Sequence, residues 1–85
     1  MLKCTLLSAV DKREETALEG IFVQAVTGEL GILENHLPII AQLKANSRLR
    51  LKTAAAPKYY TLGQNSFLYF QDNTALILTQ SFAAV

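Results

Sequence analysis

The chain holds one cysteine and one histidine, and only 18% of its residues are charged. Each scarcity excludes something. Cys4 alone cannot form an internal disulfide, and a reducing compartment is the expected setting. His36 and Cys4, far apart in sequence, do not supply the three or four ligands at characteristic spacing that a metal site needs. A formal net charge of +1 lacks the basic excess with which nucleic-acid binders neutralise phosphates. No apolar run reaches the roughly 18 residues that span a bilayer. Met1-Leu2-Lys3-Cys4 does not begin a charged region followed by a long apolar stretch, so no secretory signal is read. A soluble, cytoplasmic-type protein is expected, without direct membrane insertion.

What is present points to one small domain over residues 1–85. A chain of this size buries roughly 60–65% of its unfolded surface. The hydrophobic content of 51% is high beside so little charge. Either the core is a tight two-sheet interior, or some apolar surface faces a partner.

The apolar period is nearer two than 3.6 along most of the chain, which favours strands. Leu2, Cys4 and Leu6 alternate with Lys3 and Thr5. Asp11-Lys12-Arg13-Glu14-Glu15 reads as a charged turn. Thr16 to Val26 reads as one longer strand region with a bulge or bend at Gly20. Within it, Ile21, Val23 and Ala25 share one face, and Phe22, Gln24 and Val26 the other. Pro38 to Leu43 is a further strand. Arg48-Leu49-Arg50-Leu51-Lys52 alternates most cleanly, with leucines in and cations out. Strands follow at Lys58–Leu62, Ser66–Phe70 and Thr74–Thr79, with turns at Gly63-Gln64-Asn65 and Gln71-Asp72-Asn73. Gln80 to Val85 forms an end strand or tail. No amphipathic segment long enough for a crossover helix lies between strands. The expected fold is all-β, a sandwich of two antiparallel sheets with about eight to ten short strands.

The chemistry-bearing side chains are few. Cys4 sits in an alternating strand, where a thiol acts as a small hydrophobe; a Cys4–His36 nucleophilic pair is the sharper alternative. Asp11, Glu14 and Glu15 form a charged run, and a chain this small has little room for the cleft that paired catalytic carboxylates need. Arg48, Arg50 and Lys52 make a cationic stripe that either protects a solvated sheet face or meets an acidic partner. Of Phe67, Leu68, Tyr69 and Phe70, two enter the core and the others are free to form an interface. No phosphate loop, zinc motif or Ser-His-Asp order occurs. No cofactor is expected.

Residues 27 to 43, Thr-Gly-Glu-Leu-Gly-Ile-Leu-Glu-Asn-His-Leu-Pro-Ile-Ile-Ala-Gln-Leu, are the most distinctive stretch. Gly28 and Gly31 permit positive φ on either side of a tight bend. Leu30, Ile32 and Leu33 are expected to anchor that bend to the core. Pro38 fixes the chain where the next strand starts. The stretch resembles the N-terminal β-sandwich domain of the epsilon subunit of F-type ATP synthases, delta in mitochondria. That family typically carries Gly-Glu-Leu-Gly-Ile-Leu-Pro-x-His-x-Pro-Leu-Leu. The matching residues are Gly28, Glu29, Leu30, Gly31, Ile32, Leu33, His36 and Pro38. Where the family has Pro-Gly pairs, this chain has Glu34-Asn35 and Ala45-Asn46. Asparagine tolerates left-handed backbone, so both turns remain feasible.

The resemblance implies a non-catalytic central-stalk subunit that couples the gamma subunit to the c-ring during ion-driven ATP synthesis. It implies a peripheral place on the cytoplasmic face of the inner membrane, through the complex. It makes Glu29, Leu30, Gly31, Asn35 and His36 candidates for a ring-facing end that contacts the polar loops of the c-ring, with Gly28, Gly31 and Pro38 shaping the backbone. For Glu29 the plain alternative is an exposed turn acid. For His36 it is a turn residue bonded to backbone. Typical bacterial members continue into a C-terminal helical hairpin, and the sequence ends at Val85. Without that hairpin, neither inhibition of hydrolysis nor ATP binding is expected. The competing reading is a small β-sandwich interaction module of another assembly.

Overall fold

The computed structural model describes all of residues 1–85. Ten strands form in chain order: β1 (Leu2–Leu7), β2 (Lys12–Leu18), β3 (Gly20–Ala25), β4 (Gly28–Ile32), β5 (Ile39–Gln42), β6 (Ser47–Lys52), β7 (Lys58–Leu62), β8 (Phe67–Gln71), β9 (Thr74–Leu78) and β10 (Phe82–Ala84). They make two five-stranded sheets. The first has the order β2-β1-β9-β8-β5, and the second β10-β7-β6-β3-β4. The expected all-β sandwich is what forms. One pairing, β1 with β9, is parallel; the others are antiparallel.

The alternation seen in the sequence sets the two faces of each strand. Ser47, Leu49 and Leu51 turn inward on β6, while Arg48, Arg50 and Lys52 turn outward. Ile21, Val23 and Ala25 turn inward on β3. Leu68 and Phe70 enter the core from β8, leaving Phe67 and Tyr69 outside. Seventeen buried apolar side chains from both sheets meet between them. At roughly 1.5–3 kcal/mol for each large aliphatic or aromatic side chain, this layer is the main favourable term in folding.

Two segments differ from expectation. Lys12–Glu15 is strand, not turn: β2 is the edge of the first sheet, where outward charges are compatible with pairing. Thr16–Val26 is not one strand. The chain leaves the first sheet at Leu18, crosses at Glu19 and enters the second at Gly20. Gly20 is not the bulge. The bulge lies in β2, where the Leu2-to-Cys4 step on β1 is matched to the longer Leu18-to-Glu15 step, and Ala17 has φ 57°. That extra residue lets Glu15 and Leu18 both point inward, which an unbroken strand forbids.

Glu15 is thereby buried at the β2 side of the sandwich. It accepts hydrogen bonds from the Tyr60 hydroxyl and, at 2.9 Å, from Lys58 Nζ, both on β7 of the opposite sheet. Burial pushes its carboxyl up, but the bonds from Tyr60 and Lys58 and the charges of Lys58 and Arg13 outweigh this and hold it below the usual range. Burial, then the bond to Glu15, pushes the Tyr60 hydroxyl up to about 12. This clasp ties the two sheets together across the core.

Candidate functional site

The distinctive stretch forms β4, the connection after it, and β5. The residues expected to make a tight bend are mostly strand. Gly28 does take positive φ, at 136°, closing the β3–β4 turn. Gly31 does not; it lies in regular strand opposite Phe22. Its lack of a side chain serves packing, since a Cβ there would stand 3.1 Å from the Phe22 ring. A Cβ on Gly20 would stand 2.8 Å from the same ring. Phe22 therefore lies between two glycines on the outer face of the second sheet. Ile32 is fully buried and Leu30 packs against the core, but Leu33 is 56% exposed and lies outside the core, with its side chain near Gly20. Asn35 and Asn46 take φ of 66° and 54°, the left-handed backbone that their turns require.

The β4–β5 connection is pinned at its middle. The Asn35 amide donates to Asn73 Oδ1 at 2.7 Å, and Asn73 Nδ2 returns a bond to Asn35 Oδ1. Glu34 pairs with the N-terminal amine. The His36 amide donates to the Leu33 carbonyl at 3.1 Å. His36 is half-buried, with its ring edge-to-face on Phe70 at 5.9 Å and 86°. Its Nδ1 lies 2.7 Å from the Leu37 carbonyl. A carbonyl only accepts, so Nδ1 carries the proton. Pro38 directly precedes β5.

The candidate residues do not form one tip. Glu29, exposed, sits beside the β3–β4 turn, opposite Gln24. Asn35 and His36 lie beyond the other end of β4, which at about 3.3 Å per residue is roughly 10 Å from Glu29. Leu30 and Gly31 lie between. All five share the side of the sandwich where β4 and β5 are the edge strands of the two sheets; the Ala25–Leu43 bridge links the end of β3 to the residue after β5 there.

Other apolar side chains lie there, of which the sequence alternation placed only Val26 on an outward face. Val26, Leu33, Leu37 and Ile40 are 52%, 56%, 78% and 73% exposed, and all four belong to β5 or to the turns flanking β4. Leu33 and Leu37 lie between strands, where no alternation marks a face, and Ile40 follows Ile39 directly, so β5 shows no clean alternation.

The outer face of the first sheet is also apolar. Cross-strand pairing puts Ile40, Tyr69 and Leu76 in one row, and Phe67, Leu78 and Leu7 in the next. A groove of about 610 Å³ runs along it between Pro38 and Leu76. The outer face of the second sheet differs, carrying Arg48, Arg50 and Lys52 beside Phe22 and Tyr59.

No three of the His, Cys, Asp and Glu side chains come together to hold a metal ion. No helix is long and apolar enough to cross a membrane. Cys4 is sealed in the core, where burial, then the Glu15 charge, pushes its thiol up to about 12. A thiolate nucleophile is not available there.

Comparison with known proteins agrees with this architecture. The family described as the beta-sandwich domain of the ATP synthase delta/epsilon chain matches residues 1–85. The ATP synthase epsilon chain of Mycobacterium avium (strain 104) is 30% identical over 61 residues, covering 72% of this chain and 50% of that protein. The epsilon chain of Mycolicibacterium paratuberculosis (strain ATCC BAA-968 / K-10) matches to the same extent. The chain thus spans about half the length of these curated relatives. Among solved structures, a chain of the Euglena gracilis mitochondrial ATP synthase (OSCP/F1/c-ring) superposes with a TM-score of 0.82 at 20% identity, covering 95% of this chain and 51% of the other. A chain of the Tetrahymena thermophila central stalk and c-ring superposes at 0.78 with 13% identity, covering 96% and 65%. At those identities the superpositions speak for the fold. On the full-length family match, the chain belongs to the ATP synthase delta/epsilon chain family, as its β-sandwich domain.

Proposed function

We propose that this chain is a non-catalytic rotor component of a rotary F-type ATP synthase, peripheral to the membrane, on its cytoplasmic face. It joins the gamma subunit to the c-ring, so that ring rotation is passed on as torque. The observation that carries this reading is the family match along the whole chain. The apolar surfaces support it. A joint that transmits torque must not slip, and a broad apolar face that excludes water resists sliding better than scattered polar contacts.

The gamma subunit covers the outer face of the first sheet, centred on Tyr69 and Leu76. The β4–β5 side faces the ring. Along it Glu29, Leu30, Gly31, Asn35 and His36 make polar and backbone contacts, and Leu33, Leu37 and Ile40 supply apolar area. Gly28, Gly31 and Pro38 shape the backbone that presents them. Exposed polar pairs such as one made by Glu29 contribute about 0–1 kcal/mol each, so the leucines dominate.

Co-expression with gamma and the c-ring subunit tests this. The wild-type chain is expected to co-purify with both. Leu37→Asp is expected to retain gamma and lose the ring. Recovery of neither partner by the wild type, or ring binding indifferent to Leu37→Asp, contradicts the assignment.

A further inference from the structure

The outer face of the second sheet meets the rotor contacts proposed above only at its β4 edge, at Glu29 and Gly31; its β6 and β7 part lies outside them. Arg48, Arg50 and Lys52 project from alternate positions of β6, spaced about 6.8 Å apart. None forms an ion pair, whereas Lys3, Lys12 and Lys58 each have a carboxylate partner. The two arginines are held in place by aromatic rings. Arg50 Cζ stands 4.2 Å from the Phe22 ring centre, and Arg48 Cζ 5.6 Å from that of Tyr59. Phe22 keeps its position because Gly20 and Gly31 leave room on either side. Between these groups lies a groove of about 410 Å³, lined by Phe22, Gln24, Glu29, Arg48, Arg50 and Tyr59.

A guanidinium lying over a ring keeps its N–H edge free, in a fork that fits a carboxylate bidentately. Stacking also removes rotamer freedom before any ligand arrives, so less is lost on binding. Two such forks and a lysine in one line match carboxylates that repeat at the spacing of an extended chain, with a side chain on the same face every second residue. Glu29 at one side of the groove repels an acid placed beside it, and so limits the register. The chain's small net charge and the shortness of the stripe fit a peptide better than a polyphosphate backbone.

We propose that this face binds an extended acidic segment of a partner protein, with carboxylates at alternate positions engaging Arg48, Arg50 and Lys52 over the Phe22–Tyr59 platform. It is a second interface, on the sheet opposite the apolar one.

The test is an NMR titration of the full chain with a synthetic peptide of alternating glutamate and threonine. A glutamine–threonine peptide and a single-stranded oligothymidylate serve as comparisons. Amide shifts are expected on β3, β6 and β7, and Arg50→Gln is expected to weaken binding about tenfold, the size of one charge-assisted hydrogen bond. Arg50→Lys recovers only part, because it lacks the fork. Arg50 is exposed, so these variants keep the wild-type spectrum elsewhere. The proposal is overturned if the acidic peptide does not bind, or if its shifts centre on Lys3, Lys12 or Lys44. It is equally overturned if the glutamine peptide or the oligonucleotide binds as tightly, or if Arg50→Gln changes nothing.

Discussion

Removing the Tyr60 hydroxyl tests whether the Glu15 clasp holds the two sheets together. Glu15 is 8% exposed and Tyr60 2%, so their hydrogen bond is shielded from water. Tyr60→Phe removes the donor, keeps the ring in the core, and leaves the carboxylate with Lys58 alone. A hydrogen bond to a charged group is worth about 1.5–3 kcal/mol, so Tyr60→Phe should cost about 2 kcal/mol. Glu15→Ala should cost more, about 2–4 kcal/mol, since it strands the Tyr60 hydroxyl and deletes packed methylenes. Lys58→Ala should cost under about 1 kcal/mol, because its side chain is 55% exposed and water replaces it. Urea unfolding followed by circular dichroism reads all three, provided the slope m is unchanged. In a domain this size the Tyr60→Phe loss corresponds to a melting point lower by about 8–16 °C. A Tyr60→Phe variant within about 0.5 kcal/mol of wild type, or a Lys58→Ala variant that loses more than Tyr60→Phe, refutes the reasoning.

Other consequences follow from the same geometry. Because the Glu15 carboxyl sits below its ordinary value, its contribution is complete above about pH 4.5 and is lost as pH falls through the depressed value. Chemical unfolding between pH 6 and pH 3, roughly the range in which carboxylates titrate, should show wild type losing more stability than Glu15→Gln. The Cys4 thiol and Tyr60 hydroxyl are both raised to about 12, so their contributions are lost as pH rises toward 12. Cys4→Ala should flatten part of that alkaline loss in the same assay. Ala17 occupies a bulge position that favours glycine, so Ala17→Gly should stabilise by about 0.5–1 kcal/mol in a thermal melt. Gly63→Ala should destabilise by about 1–3 kcal/mol, since its Cβ would collide with Ser81 Oγ; adding Ser81→Gly should recover part of the loss.

What the sequence made legible follows from burial. β3, β6 and β8 each place one face in the core, and a buried face demands apolar residues at every second position. The inward and outward faces of those strands read correctly, although the start of β3 was merged with β2 across Glu19. β2 did not, because it is an edge whose only buried polar contact, Glu15 to Tyr60, joins residues 45 apart in sequence. Nothing local to Lys12–Leu18 reports that partner. β4 was masked by its glycines, which suggest a turn when read alone. Gly31 becomes intelligible only once Phe22 is known to lie across it. The candidate residues Glu29 and His36 are correctly placed outside the core, but as two ends of one side. Seven residues of separation look like a single loop until a strand is found between them. The exposed Leu33, Leu37 and Ile40 were hidden for a related reason: Leu33 and Leu37 lie in a connection where no alternation marks a face, and the consecutive Ile39 and Ile40 give β5 no clean alternation.

The proposed coupling of ring to catalytic head rests on the gamma subunit covering the outer face of the first sheet. The dissociation constant for purified gamma measures that contact directly, in wild type, Tyr69→Asp, Leu76→Asp and the opposite-face variant Arg48→Gln. Tyr69→Asp and Leu76→Asp should each weaken binding by about tenfold or more, as expected when a charge is buried at an apolar interface centre, while Arg48→Gln should bind like wild type. Undetectable wild-type binding, or a Tyr69→Asp variant that binds gamma as tightly as wild type, would contradict it.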